Sequence, residues 1–463
     1  MSSSLNQVEE APHRNFITGQ IKIEDEHLGK NINIIGKDFL EENYIKDVEK
    51  NNQNEQEIIG NIEIKINGKQ IKPSYYYKFD VNEIYDIEYS FKNNLIKANK
   101  MFFECECLKT LNLSNFKTAY ITNMESMFAG CVNLEQLNLS NFNTDQVTDM
   151  SFMFQDCQRL KELNLSNFNT AQVKFMSKIF CDCKSLNKLN LSNFNTGQVT
   201  LMDSMFKDCN KLQELNLSNF NTKQVEYMSC MFENCINLIE LNLSNFNTER
   251  VTNMSKMFYN CKSLKKLNEC KLDFNAKNVI DMSSMFRGCQ SLLILDLSNF
   301  YTENVIDMSY MFENCKNLKE LNLSNFNTKQ ADDMSSMFQN CENLKELNLS
   351  NFNIQQVISM SYMFDNCKSI KTLNLSNFIT SENIGVKNMF RNCESLQNLN
   401  LSNFRFKQIF VDKTMFDGCT SLKNYILPEG YDKYYIKETD NQDLSDFHWL
   451  KNDKAINKSG KKK

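Results

Sequence analysis

The sequence predicts an α/β repeat fold: a right-handed solenoid of about 13 units of 26 residues, with one short parallel strand and one short helix per unit, plus a small N-terminal β-rich domain. Three observations predict it. Cysteines stand at 105, 131, 157, 183, 209, 235 and 261, each 26 residues after the last, and after a 28-residue step to Cys289 the spacing of 26 resumes through Cys419. Around each of these thirteen cysteines the text stays close to C-x-x-L-x-x-L-N-L-S-N-F-N-T-x-x-V-x-x-M-S-x-M-F-x-x. No unit can bury both its leucines and its Met-Phe-Cys positions alone, so neighbours must stack in register.

Each element follows from its apolar spacing. Val147, Met150, Met153, Phe154, Cys157 and Leu160 lie at offsets 0, 3, 6, 7, 10 and 13, one face of a helix with about two regular turns. Leu163 and Leu165 then alternate with Glu162, Asn164 and Ser166, the period of a strand with one buried face. Ser166-Asn167 and Asn169-Thr170 supply turn chemistry around an inward Phe168. Strand, turn and helix fit the length of a leucine-rich repeat, so residues 101–427 are expected to form a leucine-rich-repeat solenoid. At about 4.8 Å per strand its sheet would be roughly 60 Å long, with the helices on the opposite side. The 28-residue unit reads LNECKLDFNA where its neighbours read LNLSNFNT, which places a two-residue bulge near Glu269 to Lys271.

The ends depart from the pattern. Residues 1–16 read as a disordered N-terminus, 17–100 as a β-rich domain capping the first coil, and 428–463 as a C-terminal cap with a basic tail. Ile62 to Ile66 alternates into Asn67-Gly68, a strong hairpin signal, followed by Gln70 to Phe79, where Pro73 makes the second strand late or an edge. Ile84 to Phe91 alternates again, and Glu41 to Gln56 reads as a loop or frayed helix. Beyond Leu427-Pro428-Glu429-Gly430, Asp443 to Leu450 reads as a helical lid carrying Leu444, Phe447, Trp449 and Leu450.

LNLSNFNT followed by V-x-x-M-S-x-M-F-x-x-C resembles the BspA-like leucine-rich repeat proteins, found on bacterial surfaces and expanded in several protists. The resemblance covers about 70% of the chain and recurs in nearly every unit. It implies a leucine-rich-repeat solenoid and, in the bacterial members, adhesion or partner binding at the cell surface. The N-terminus MSSSLNQVEEAPHRNF lacks the hydrophobic segment of a secretory signal, so the residues themselves point to a cytoplasmic protein, with the cell surface as the alternative.

Much chemistry is excluded. With 52 basic against 57 acidic residues the net charge is -5, which gives no reason to expect nucleic-acid binding. A mean hydropathy of -0.49 and no apolar run near 18 residues argue against a membrane span. No phosphate loop or nucleophile elbow is present, and His13, His27 and His448 all lie outside the repeats. The expectation is therefore no enzyme, no cofactor and no metal. The registered cysteines read as buried thiols acting as small hydrophobes. Parallel neighbours would hold their Cβ atoms about 4.8 Å apart, wider than the roughly 3.8 Å of a disulfide. The strand asparagines of the N-L-S tripeptides are expected to form an amide ladder along the stack.

What remains is a surface. The outward strand positions offer Glu162, Asn164, Ser166, Lys188, Asn190, Glu214, Asn216, Ser218, Glu240, Asn242, Glu320, Asn322, Glu346 and Asn348 as a candidate partner-binding face. It is polar and weakly charged, which suits hydrogen-bonded contact with a protein better than DNA. Carbohydrate is a weaker candidate, because few aromatics project there to stack on sugars. Leu215 is expected to point inward.

Overall fold

The computed structural model describes residues 15–37, 53–267, 274–380, 384–405 and 413–427. The bulge at Glu269 to Lys271, the helical lid and the basic tail lie outside the described residues, as do 1–14 and 38–52. The chain divides into two units, Met1–Gln224 and Val225–Lys463, taken in turn.

Alternating isoleucines build the start of the first unit. They give β1 (Phe16–Lys22), β2 (Ile32–Asn33), a helix α1 (Gln53–Asn61), β3 (Ile62–Ile66), β4 (Lys69–Ile71), β5 (Tyr76–Tyr77) and β6 (Ile84–Phe91). Asn67 and Gly68 join β3 to β4 with φ of 47° and 75°, the left-handed pair of a type I′ hairpin. β4 stops at Ile71 short of Pro73 and sits at the sheet edge, and the chain beyond pairs separately as β5 against β2.

The first repeat strands are β7 (Leu108–Asn112), β8 (Gln136–Asn138), β9 (Glu162–Asn164) and β10 (Lys188–Asn190). β7 and β8 join the N-terminal strands in one sheet of order β4-β3-β6-β1-β7-β8. Within it β1 runs antiparallel to both β6 and β7. That pairing covers the backbone edge which the first coil would otherwise present to solvent. Gly19 permits the approach: a Cβ there would stand 2.4 Å from the Thr110 carbonyl oxygen.

In the second unit the strands are β11 (Glu240–Leu241), β12 (Lys266–Leu267), β13 (Ile294–Asp296), β14 (Glu320–Asn322), β15 (Thr372–Asn374), β16 (Asn398–Asn400) and β17 (Asn424–Ile426). They pair in parallel with a partner one repeat away, leucine on leucine in most pairs, as in Leu295 opposite Leu321.

One expectation fails. The segment from Val147 to Leu160 is no helix but a run of tight turns. Met153, Cys157 and Leu160 donate their N–H groups to Met150, Phe154 and Cys157, three residues back. Between them Met150, Phe152, Phe154 and Asp156 donate to Phe175, Ser177, Ile179 and Cys181 of the next coil. A helix would spend those donors inside its own chain. Here Phe152 and Asp156 take φ of 61° and 59°, which turns alternate amides outward along the stack. The apolar offsets 0, 3, 6 fit a three-residue turn as well as a helix, so periodicity could not separate the two.

The interior is built from columns. Phe102, Phe128, Phe154 and Phe180 stack with centroids 5.7–5.8 Å apart, and Phe258 to Phe286, across the 28-residue unit, keeps the column at 5.3 Å. Each registered thiol is buried, and most donate S–H to a phenylalanine carbonyl one coil back, as Cys157 does to Phe128 at 3.3 Å. Burial pushes thiols such as Cys157, Cys183 and Cys289 well above their ordinary pKa. Thr170, also fully buried, donates Oγ1–H to the Asn195 carbonyl at 2.8 Å and accepts the Asn195 N–H at 2.7 Å. A side chain there replaces a strand partner. The first leucine of L-N-L is less buried than expected in several coils: Leu215 is half-exposed at the rim while Leu217 is 2% exposed.

Candidate docking face

The outward residues of the first unit fall into two rows across the sheet, set by strand register. One row runs Lys65, Glu88, Thr18, Asn112, Asn138 over β3, β6, β1, β7 and β8. The other runs Asp86, Gln20, Thr110, Gln136. Short threonines at the centre and longer side chains on both flanks leave a shallow trough of about 770 Å³. Gly19, Ile87, Leu111 and Leu137, which lie between the two rows along their strands, line it as well. Gln20 donates to Asp86 Oδ1 at 3.1 Å and Lys65 to Glu88 Oε1 at 2.9 Å. The asparagine ladder is present: Asn138 Nδ2 donates to Asn112 Oδ1 at 3.0 Å.

The trough residues of β1, β3 and β6 were not singled out from the sequence. The alternation of Ile62, Ile64 and Ile66 marks Lys65 as outward, and Ile87 and Tyr89 mark Glu88 in the same way. What the linear text lacks is the crossing that sets β1 between β6 and β7.

Of the residues that the sequence did single out, Glu162 and Asn164 lie directly opposite Lys188 and Asn190, with Glu162 and Lys188 paired at 2.5 Å. Glu214, Asn216 and Ser218 are exposed in the same unit, whereas Ser166 is half-buried. In the second unit Glu240 pairs with Lys266 at 2.9 Å, and Asn242, Glu346 and Asn348 are exposed. Glu320 and Asn322 lie opposite Ile294 and Asp296. The strand asparagines also close the turn after each strand, as where Asn164 Oδ1 accepts the Ser166 N–H at 3.1 Å. It is the next asparagine, Asn167, that reaches the preceding coil, donating to the Leu139 and Phe142 carbonyls at 3.0 Å each.

Among the described residues no group of three or more His, Cys, Asp or Glu side chains is placed to hold a metal ion. No described helix is long and apolar enough to cross a membrane.

Comparison with known proteins adds the family. No curated protein matches the chain. Among solved structures it is similar to TLR13 in a complex with ssRNA13 (18% identity, 72% of this chain and 49% of that one, TM-score 0.26). It is similar also to Toll of Drosophila in its complex with Spatzle (16%, 66% and 50%, TM-score 0.23). The functional domain of InlJ from Listeria monocytogenes, which includes a cysteine ladder, is a third (14%, 65% and 69%, TM-score 0.19). The chain spans about half the length of the first two. One family model matches repeatedly, at residues 69–173, 96–215, 164–270, 234–346, 265–378 and 318–428. By that coverage the chain, a parallel β-solenoid in its fold, belongs to the family described as Mycoplasma protein of unknown function, DUF285.

Proposed function

We propose that the protein is a non-enzymatic interaction scaffold that presents its polar strand face to a protein partner. The carrying observation is the pair of registered polar rows, which runs from Lys65 and Asp86 to Asn138 and Gln136 and has its counterpart in Glu162–Lys188 and Asn164–Asn190. The inner strands β6, β1 and β7 are each paired on both sides, so their main-chain groups are spent and recognition falls to side chains. Mixed charge and amides suit specific hydrogen bonding rather than attraction to a polyanion. On this reading the protein acts in the cytoplasm. The test is affinity capture with the full chain against a Thr110→Arg/Asn164→Arg variant. A protein retained by the wild type and by a variant changed on the turn side (Lys174→Glu), but lost by the face variant, supports the reading. Equal capture by all three overturns it.

The BspA-like resemblance of LNLSNFNT and V-x-x-M-S-x-M-F favours a second reading, a cell-surface adhesin using the same face. Protease treatment of intact source cells separates them: loss of the chain favours the adhesin, and protection favours the scaffold.

A further inference from the structure

In the second unit the strand face carries an unusual pairing of columns. Leu292, Leu318 and Leu344 are fully buried, and the two residues after each are both exposed: Leu293–Ile294, Lys319–Glu320 and Lys345–Glu346. Register is held by Lys319 donating its N–H to the Leu293 carbonyl at 2.8 Å and by Asn343 donating to Lys316 at 3.2 Å. The result is a column Leu293, Lys319, Lys345 beside a column Ile294, Glu320, Glu346. Among the described residues, none of these four charged side chains is in an ion pair within the chain. Some charges elsewhere on the strand side are paired between coils, as Lys266 is with Glu240 at 2.9 Å and Lys188 with Glu162 at 2.5 Å. Leu293 and Ile294 are 45% and 51% exposed.

These columns are complementary to themselves. A two-fold axis running along the stack, midway between them, lays each column on the other. Leucine then meets isoleucine and lysine meets glutamate in three consecutive coils. An axis across the stack sets lysine on lysine instead. The pattern stops on both sides: Lys265–Lys266 would repel its own image, and Lys371–Thr372 supplies no anion. We propose that these three coils are a homotypic contact, at which a second copy of the chain docks by a parallel two-fold. This rests on reading the strand face as a docking surface and narrows the partner there to the protein itself.

The contact is small, and each exposed ion pair is worth up to about fivefold in Kd, so association should be weak and salt-sensitive. The test is sedimentation equilibrium of the full chain at low and high salt, with two charge-reversed variants, Glu320→Lys/Glu346→Lys and Lys319→Glu/Lys345→Glu. All four positions are exposed, and far-ultraviolet circular dichroism checks that each variant keeps the fold. The expected result is a reversible dimer that weakens with salt, is lost in each variant alone, and returns as a heterodimer when the two variants are mixed. A wild type that stays monomeric at low salt overturns the proposal, as does a dimer that survives both reversals or a mixture that fails to reassociate. A monomer that captures a different protein through Leu293 and Ile294 also overturns it, while leaving the scaffold reading intact.

Discussion

Within one coil, the strand side and the turn side hold neighbouring coils together in different ways. The strand contributes only two or three residues to its ladder, as in β8 and β11. The turn side from Met150 to Asp156 sends four N–H groups to the next coil and carries the stacked Met, Phe and Cys columns. The strand side is thus free to expose polar residues without weakening the stack. Cohesion between coils rests chiefly on the turn side, which leaves the strand face open to the recognition proposed for it.

If that division is right, the largest loss comes from the turn side. Phe154→Ala, fully buried between Phe128 and Phe180, should cost about 3–5 kcal/mol in urea unfolding. A cost like that of a surface change would refute a shared aromatic column. On the strand side the buried Leu165→Ala should cost about 2–5 kcal/mol, and the half-exposed Leu215→Ala clearly less. Equal costs would place Leu215 deeper than the rim. Thr170→Val should lose about 1–3 kcal/mol, because both Asn195 backbone groups lose their partner, whereas Thr170→Ser should keep most of it.

A subtler effect comes from Asp307, stacked between Asp281 and Asp333. Burial first, and then these two neighbours, raise its carboxyl pKa above the ordinary 3.8. The folded chain then binds more protons than the unfolded one between the two values, so stability falls as pH rises from 3.8 through the folded value. Asp307→Asn keeps an oxygen for the Ser309 N–H at 2.8 Å. It should raise the melting temperature at neutral pH and match the wild type in acid; a constant difference at every pH would remove the charge argument. The smallest effect is Asn164→Ala, expected to cost about 0.5–1 kcal/mol, because the residue is exposed and gives up chiefly its bond to the Ser166 N–H.

Legibility in the sequence followed the same division. The leucine alternation marked Asn164 and Glu162 as outward, and the structure exposes both. The three-residue spacing of Val147, Met150 and Met153 was ambiguous, because helix and serial turns bury the same face. A signal for the turns was nonetheless present: the residue before the registered cysteine is nearly always Asp, Asn or Gly, from Gly130 and Asp156 to Asn340 and Asn392, and it takes positive φ.

The repeat by itself determined the period, the parallel stacking and the identity of the inner columns, because a 26-residue unit with one apolar side can bury it only against its own copies. Only the tertiary structure decided that alternate amides of the turn segment bond between coils, since φ at Phe152 depends on the neighbour that accepts its N–H. It alone also placed β1 between β6 and β7, joining the two polar rows, because that pairing links residues about ninety positions apart and no local pattern encodes it.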